Sequence, residues 1–488
     1  MKSLQALIFL DLRWGVTTRM KIFKRIGILC SSCLGLYVAL PIAQVLAEPT
    51  IEEKLASAQV AADTSWMLIS TALVLLMTPG LAFFYGGFVA KRNMLNTLMM
   101  SFVMMGIVGT TWVLWGYSLA FDPGNPIIGS FDWVFLNNVG LETTDYLKGS
   151  LPEEVLSYAP TIPHEAFMMF QGMFAIITPA LISGAIVERI SFKAFVLFVT
   201  IWSTFIYSPM AHMVWAKGGL LGLLGGINAL DFAGGTVVHI ASGVSALVAA
   251  IVVGRRKTYP DRLSPPHNVP FILLGVGLLW FGWFGFNGGS ALASGGLATI
   301  AFVTTNTSAA AAMVMWLILE QVLRGKPTAV GAGTGAVAGL VGITPAAGFV
   351  TPVSAILIGV ITATCCFFAV SYKVKFGVDD SLDTYPVHGV GGTVGALLTG
   401  VFATTAVNSA GKDGLLSGNP QQLFIQLAAV LLTYVFAGAG TFVILKIVDA
   451  LVGLRLKPEA EFQGMDINDH GEEAYGEEFS AGFGGGSH

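Results

Sequence analysis

Charge is what this chain has least of. Of its 488 residues only 11% are Asp, Glu, Lys or Arg, where a soluble globular domain carries about 25%. That scarcity excludes a water-soluble globule as the bulk of the molecule. The 29 acidic and 25 basic residues leave a net charge of −4, with no basic stripe to neutralise phosphates, which excludes a nucleic-acid partner. Cysteine is scarce too. Cys30 and Cys33 lie in an N-terminal apolar stretch, and Cys365 and Cys366 are adjacent in a later one. Adjacent cysteines on a helix point in different directions, and no His/Cys spacing suits zinc, so neither a disulfide framework nor a metal centre is expected. A nucleophile–base pair and a cofactor fingerprint are both missing, so the chain is not read as an enzyme and no cofactor is expected.

What fills the chain is apolar. Hydrophobic residues make up 54%, and 59 glycines fall mostly inside apolar segments, where small residues let helices approach closely in a bilayer. A spanning helix needs about 20 apolar residues. Eleven such segments follow Glu48: 66–84, 96–120, 167–187, 194–214, 228–253, 269–287, 297–323, 328–350, 353–372, 387–404 and 423–454. Basic residues follow every odd-numbered one: Lys91 and Arg92, Arg189 and Lys193, Arg255 to Lys257, Arg324 and Lys326, Lys373 and Lys375, Arg455 and Lys457. The intervening loops are poor in them, and the long loop from Asp122 to Glu165 is acidic. The positive-inside rule then puts the mature N-terminus outside and the C-terminus in the cytoplasm, which needs an odd number of spans.

The expected fold is therefore an all-α polytopic membrane protein. Five spans in each half, plus one at the C-terminus, make the halves enter the membrane in opposite senses, as in an inverted-topology repeat. Residues 1–47 read as a signal peptide. Lys21, Lys24 and Arg25 precede an apolar run, Val45 and Ala47 give the small residues of a cleavage site, and Met20 serves as an alternative start, with an upstream extension before it. Residues 48–456 form the membrane domain, and 457–488 a polar, acidic cytoplasmic tail with a Gly-rich end.

Two histidines stand out. His239 closes the run Asp231-Phe-Ala-Gly-Gly-Thr-Val-Val-His239 in the fifth segment, and His388 lies in Tyr385-Pro-Val-His388-Gly in the tenth. An ionisable side chain inside a membrane usually faces a cavity or a partner, and histidine both gives and takes a proton near neutral pH. Each could merely tie the bundle together, but two at matching repeat positions favour function. Gly235, His239 and Gly243 recur every four residues and share a helix face. Asp231, near the outer end of its segment, suits a helix cap with an electrostatic contribution better than direct ligation. Trp215, next to a loop, reads as a membrane anchor or a cation-binding face. From pattern alone Phe170, Phe174 and Phe286 are packing residues.

The Asp231–His239 run, Phe170-Gln-Gly-Met-Phe174, Gly282-Trp-Phe-Gly-Phe286-Asn-Gly-Gly-Ser290, Val387-His388-Gly and the stretch from Asp63 to Gly87 closely resemble the Amt/Mep/Rh ammonium transporter family, on its bacterial Amt side. The likeness runs from Asp63 to Tyr475. The resemblance implies a homotrimer in the plasma (inner) membrane, with a conduction path through each subunit for ammonium or ammonia, methylammonium included. It implies an outer substrate site at Phe170, Trp215 and Ser290, with Asp231 at the family's acidic position. It implies a gate of Phe174 stacked on Phe286, and a narrow pore where His239 and His388 share a hydrogen bond. The tail residues Asp466, His470, Gly471, Glu472 and Tyr475 resemble the segment that meets PII-type signalling proteins on the cytoplasmic face. Ala241-Ser242 departs from the Asn-Ala that relatives often carry there. The expected function is ammonium transport, in which ammonium is bound outside, deprotonated, and conducted as ammonia with or without a relayed proton. A sensor with little flux and a gas channel for ammonia or carbon dioxide are the alternatives.

Overall fold

In this computed structural model, residues 49–143, 158–261 and 265–475 are described. The expected signal peptide at 1–47 and the Gly-rich end lie outside the described residues. The chain divides into two compact units, Met1–Gln59 and Val60–His488; the described part of the first is mainly the beginning of a helix.

Apolar runs of this length can satisfy their backbone groups within a membrane only as helices or closed barrels, and here they are helices. Nine among the described residues are long and apolar enough to cross a bilayer: α1 (Ile51–Phe88), α2 (Lys91–Phe121), α3 (His164–Ile186), α4 (Phe192–Trp215), α5 (Gly235–Val253), α6 (Val269–Gly289), α7 (Gly296–Arg324), α9 (Pro352–Phe376) and α11 (Gln421–Val452). Two shorter ones complete the set: α8 (Ala329–Ile343) and α10 (385–402). These eleven fall on the eleven apolar segments of the sequence. The protein is an all-α polytopic membrane protein, with two five-helix halves, α1–α5 and α6–α10, followed by α11.

Several boundaries differ from the sequence expectation. The first helix begins at Ile51, well before the expected 66. Two other differences have a backbone cause. The fifth segment, expected from 228, becomes helical only at Gly235, because Gly234 adopts a left-handed φ of 113° and leaves the preceding residues irregular. The eighth, expected to run to 350, stops at Ile343. Pro345, two residues later, has no N–H for the helical ladder, and the chain tightens into three-residue turns, with the Thr344 N–H on the Val341 carbonyl (3.2 Å) and the Ala346 N–H on the Ile343 carbonyl (2.8 Å). Trp215, expected just outside the fourth helix, is its last residue.

The two histidine-bearing helices are built alike. α5 opens with a π-helical turn, Gly235–Ile240, before the α-helix Ala241–Val253, and α10 opens with the π-turn Tyr385–Val390 before Gly391–Phe402. A π-turn interrupts the regular i→i−4 ladder and is enriched at functional sites. The helices meet through glycine. A Cβ on Gly243 would lie 2.2 Å from the Gly389 nitrogen, and one on Gly392 would lie 3.0 Å from the His239 Cβ. Polar side chains then tie these helices to α11. The Gln426 amide accepts from the Leu230 N–H at 2.7 Å and donates to the Leu230 and Ala396 carbonyls.

At the ends followed by basic loops, a buried Arg189 donates to the carbonyls of Gly254 (2.6 Å), Ala185 (2.9 Å) and Asp379 (2.5 Å) and to the Ser381 hydroxyl (2.6 Å). Burial pulls its guanidinium down to about 10. Beside it Arg256 joins Glu188 and Asp379, both at 2.7 Å. Burial alone would push those two carboxyls up. The Arg256 charge and the hydrogen bonds around them outweigh it and hold both below their ordinary values.

Candidate functional site

His239 and His388 reach each other because the glycine contacts bring their π-turns together. Their Nδ1 atoms stand 3.2 Å apart and their ring centroids 5.3 Å apart. Both are buried, at 1% and 3% exposure. Around them the wall is apolar: Leu81, Ile177, Val238, Leu279, Trp283 and Phe286 bound a narrow space of about 10 Å3 that both imidazoles line. The Trp283 ring lies nearly parallel to His239 at 5.4 Å. Trp283 is itself fixed by donating to the Thr344 hydroxyl at 2.9 Å. The Nε2 of His239 has no protein partner, so in this apolar space it is a polar atom available to a solute.

The next layer is aromatic. Phe174 of α3 and Phe286 of α6 stack at 4.1 Å between centroids, and His239 lies 6.1 Å from Phe286. Phe174 also lines a wider, more open vestibule of about 280 Å3, together with Trp215, Asp231, Ser290 and Gln171. The stacked pair therefore separates vestibule from passage. Trp215 presents its ring edge-on to Phe174 at 5.9 Å, held by an Nε1–H bond to the Asp231 carbonyl at 3.0 Å. The Ser290 hydroxyl donates to the Phe286 carbonyl at 2.8 Å, which leaves its lone pairs to accept.

Two expected binding residues sit differently from the rest. The Asp231 carboxylate accepts from the N–H groups of Gly234 (2.7 Å), Gly235 (2.6 Å) and Thr236 (2.8 Å), and from the Thr236 hydroxyl. It caps α5, the role its position suggested. Phe170 is wholly buried and lines neither space. It meets Phe174 edge-on at 5.0 Å and so supports that ring from behind. Gln171, Trp283 and Thr344 were not singled out by sequence reasoning. For Gln171 a signal existed, since it precedes Phe174 by three positions and shares its helix face.

The tail residues form a separate cluster at the ends of α2 and α4. The Asp466 carboxylate accepts from the Leu95 N–H (3.0 Å) and the Asn96 N–H (2.8 Å). Asp469, which the sequence did not single out, accepts from the Phe192 N–H (3.3 Å) and the Asn96 amide (3.1 Å). Burial pushes both carboxyls up. His470 packs edge-on against Phe192 at 4.7 Å. Gly471 takes a left-handed φ of 68° that ends the turn. The Tyr475 hydroxyl meets His267 Nε2 at 3.1 Å, and Glu472 is exposed. Among the described residues no three His, Cys, Asp or Glu side chains converge as metal ligands would.

Comparison with known proteins bears on this arrangement. Residues 65–475 match the model of the Ammonium Transporter Family. The chain is 52% identical over 414 residues to an ammonium transporter of Bacillus subtilis (strain 168), covering 85% of this chain and 98% of that one. The crystal structure of Candida albicans Mep2 superposes with a TM-score of 0.74 at 34% identity, covering 82% of this chain and 87% of that one. A solved structure described as a sensor Amt protein does so with a TM-score of 0.74 at 30% identity, covering 85% and 99%.

Proposed function

The chain belongs to the Ammonium Transporter Family, and on that footing we propose that it carries ammonium across the plasma membrane by binding the cation outside and conducting ammonia. The observation that carries this reading is the histidine pair, joined through Nδ1 at 3.2 Å in an apolar passage directly behind the stacked Phe174 and Phe286.

The chemistry has to separate ammonium from potassium, which has nearly the same size and charge. The Trp215 and Phe174 rings and the Ser290 hydroxyl attract either cation. The Asp231 carboxylate adds favourable negative charge from within its cap, while Phe170 steadies Phe174. Behind the gate, a potassium ion sheds water with few replacement ligands, at a cost of several kcal/mol. Ammonium instead releases a proton and crosses as a neutral molecule, hydrogen-bonding to the imidazoles on the way. In this reading the mature N-terminus is outside, the tail is cytoplasmic and contacts a PII-type protein, methylammonium is a second substrate, and three chains assemble with one passage each.

One observation favours a second reading. The sensor Amt protein matches over most of this chain, and the tail caps two helices of the bundle. As a sensor, the protein would bind ammonium with little flux. Proteoliposomes given ammonium, methylammonium and potassium in parallel decide the matter. Uptake or current with the first two and none with potassium is expected. Ammonia-driven pH change without current supports the gas channel, and neither signal supports the sensor.

A further inference from the structure

Among the described residues, Gln171 is the one in the vestibule lining whose buried polar atom has no partner. It stands on α3 one turn before Phe174 and lines the vestibule with Phe174, Trp215 and Ser290. It is 8% exposed, and its buried Oε1 has no hydrogen-bond partner. Leaving a buried acceptor unmade costs about 1–3 kcal/mol, so a side chain kept in this state calls for a donor. The neighbouring groups do not supply one. Trp215 spends its only N–H on the Asp231 carbonyl, Ser290 spends its only O–H on the Phe286 carbonyl, and Phe174 has none to give.

We propose that the Gln171 carboxamide oxygen accepts a hydrogen bond from the cation held in the vestibule, making Gln171 a specificity-determining residue of the outer site. The inference rests on the reading of the protein as an ammonium carrier and deepens it. Ammonium brings four N–H donors. The aromatic faces of Trp215 and Phe174 interact with charge but do not fix the direction of an N–H, whereas the Ser290 lone pairs and the Gln171 oxygen do. Two directed acceptors favour a tetrahedral donor over a spherical ion. They also favour ammonium over methylammonium, which has three N–H donors and can turn its methyl group towards one acceptor.

The test is initial-rate uptake into proteoliposomes for ammonium and methylammonium, with Gln171→Leu, Gln171→Met and Gln171→Glu beside the unaltered protein. Two apolar variants of different shape guard against one that fails to fold. The loss of one charge-assisted hydrogen bond is expected to raise the half-saturation concentration for ammonium about tenfold in Leu and Met. The rise for methylammonium should be less than about threefold, and the maximal rate should not change. Gln171→Glu, which keeps an acceptor, should stay at or below the unaltered half-saturation. Leu and Met variants with unchanged half-saturation overturn the proposal, as does a Glu variant as impaired as Leu. A purely structural role would lower the maximal rate for both solutes alike. Failure of the unaltered protein to take up ammonium at all removes the transport reading first, and this one with it.

Discussion

His239 and His388 face each other through the same ring atom, Nδ1 to Nδ1, at 3.2 Å. A hydrogen bond there needs one protonated and one bare nitrogen, so the neutral pair adopts opposite tautomers. The ring that donates through Nδ1 has a bare Nε2, and its partner carries Nε2–H. An ammonia molecule crossing as proposed, which both donates and accepts, would then meet one acceptor and one donor in an otherwise apolar wall.

Replacing either ring should break that complement. His388→Ala is expected to lower ammonium uptake in proteoliposomes about tenfold or more, the equivalent of one lost hydrogen bond in a dry site, and to weaken the exclusion of potassium. Full ammonium-selective uptake with potassium still excluded would defeat the role given to the pair.

The Asp231 cap makes a prediction about stability. Asp231→Ala leaves four N–H groups, those of Gly234, Gly235, Thr236 and Val237, and the Thr236 hydroxyl without their acceptor. An ordinary cap is worth about 0.5–2 kcal/mol, so the loss should reach or exceed the top of that range. Thermal unfolding in detergent should show a lower midpoint for Asp231→Ala and a smaller drop for Asp231→Asn, which keeps one acceptor oxygen.

Close approach of the histidine helices depends on Gly243. A Cβ there would meet the Gly389 nitrogen at 2.2 Å, a contact with backbone that no side-chain rotation relieves. Gly243→Val is expected to part the two imidazoles and abolish uptake, whereas Gly277→Ala, where an added Cβ meets nothing within 4 Å, should transport normally. Transport assays on the two variants side by side check this.

The Arg256 cluster predicts a pH dependence. Glu188 and Asp379 lie below their ordinary values, so across the carboxylate range the folded protein binds fewer protons at these sites than the unfolded chain. Their stabilisation is complete above the ordinary carboxylate values near pH 4 and is lost as pH falls through the lowered ones. Unfolding midpoints should therefore hold from pH 7 to 5 and drop below about pH 4. Arg256→Gln should lower the midpoint at pH 7, because breaking a buried pair costs about 3–5 kcal/mol, and should flatten the acid limb. An acid limb of equal steepness in the variant would contradict the assignment.

Much of the architecture was legible in the chain itself. Each of the eleven apolar segments holds a helix. Backbone chemistry overrode hydropathy at two ends, where a left-handed Gly234 delays α5 and Pro345 interrupts the ladder after α8, while α1 runs back to Ile51 through polar residues that hydropathy leaves out. The site was legible as a set of residue types. Phe174, Trp215, Ser290 and Asp231 do gather at one vestibule. Gln171 lines the same vestibule, and its spacing from Phe174 was the one sign of that in the sequence. Phe170, which the resemblance groups with Trp215 and Ser290, meets Phe174 edge-on and does not line that vestibule.

By itself the sequence determined that this chain folds as membrane helices, roughly where each begins, and that two imidazoles sit inside them. Transfer of apolar side chains into a bilayer is summed over about 20 consecutive residues and needs no knowledge of the rest of the chain. Only the tertiary structure decided that those imidazoles, 149 residues apart, meet through Nδ1, that Asp231 spends its charge on a helix end, and that Gln171 keeps an acceptor free. Such pairings depend on how closely two backbones can approach, and that is set by glycines on different helices fitting one another.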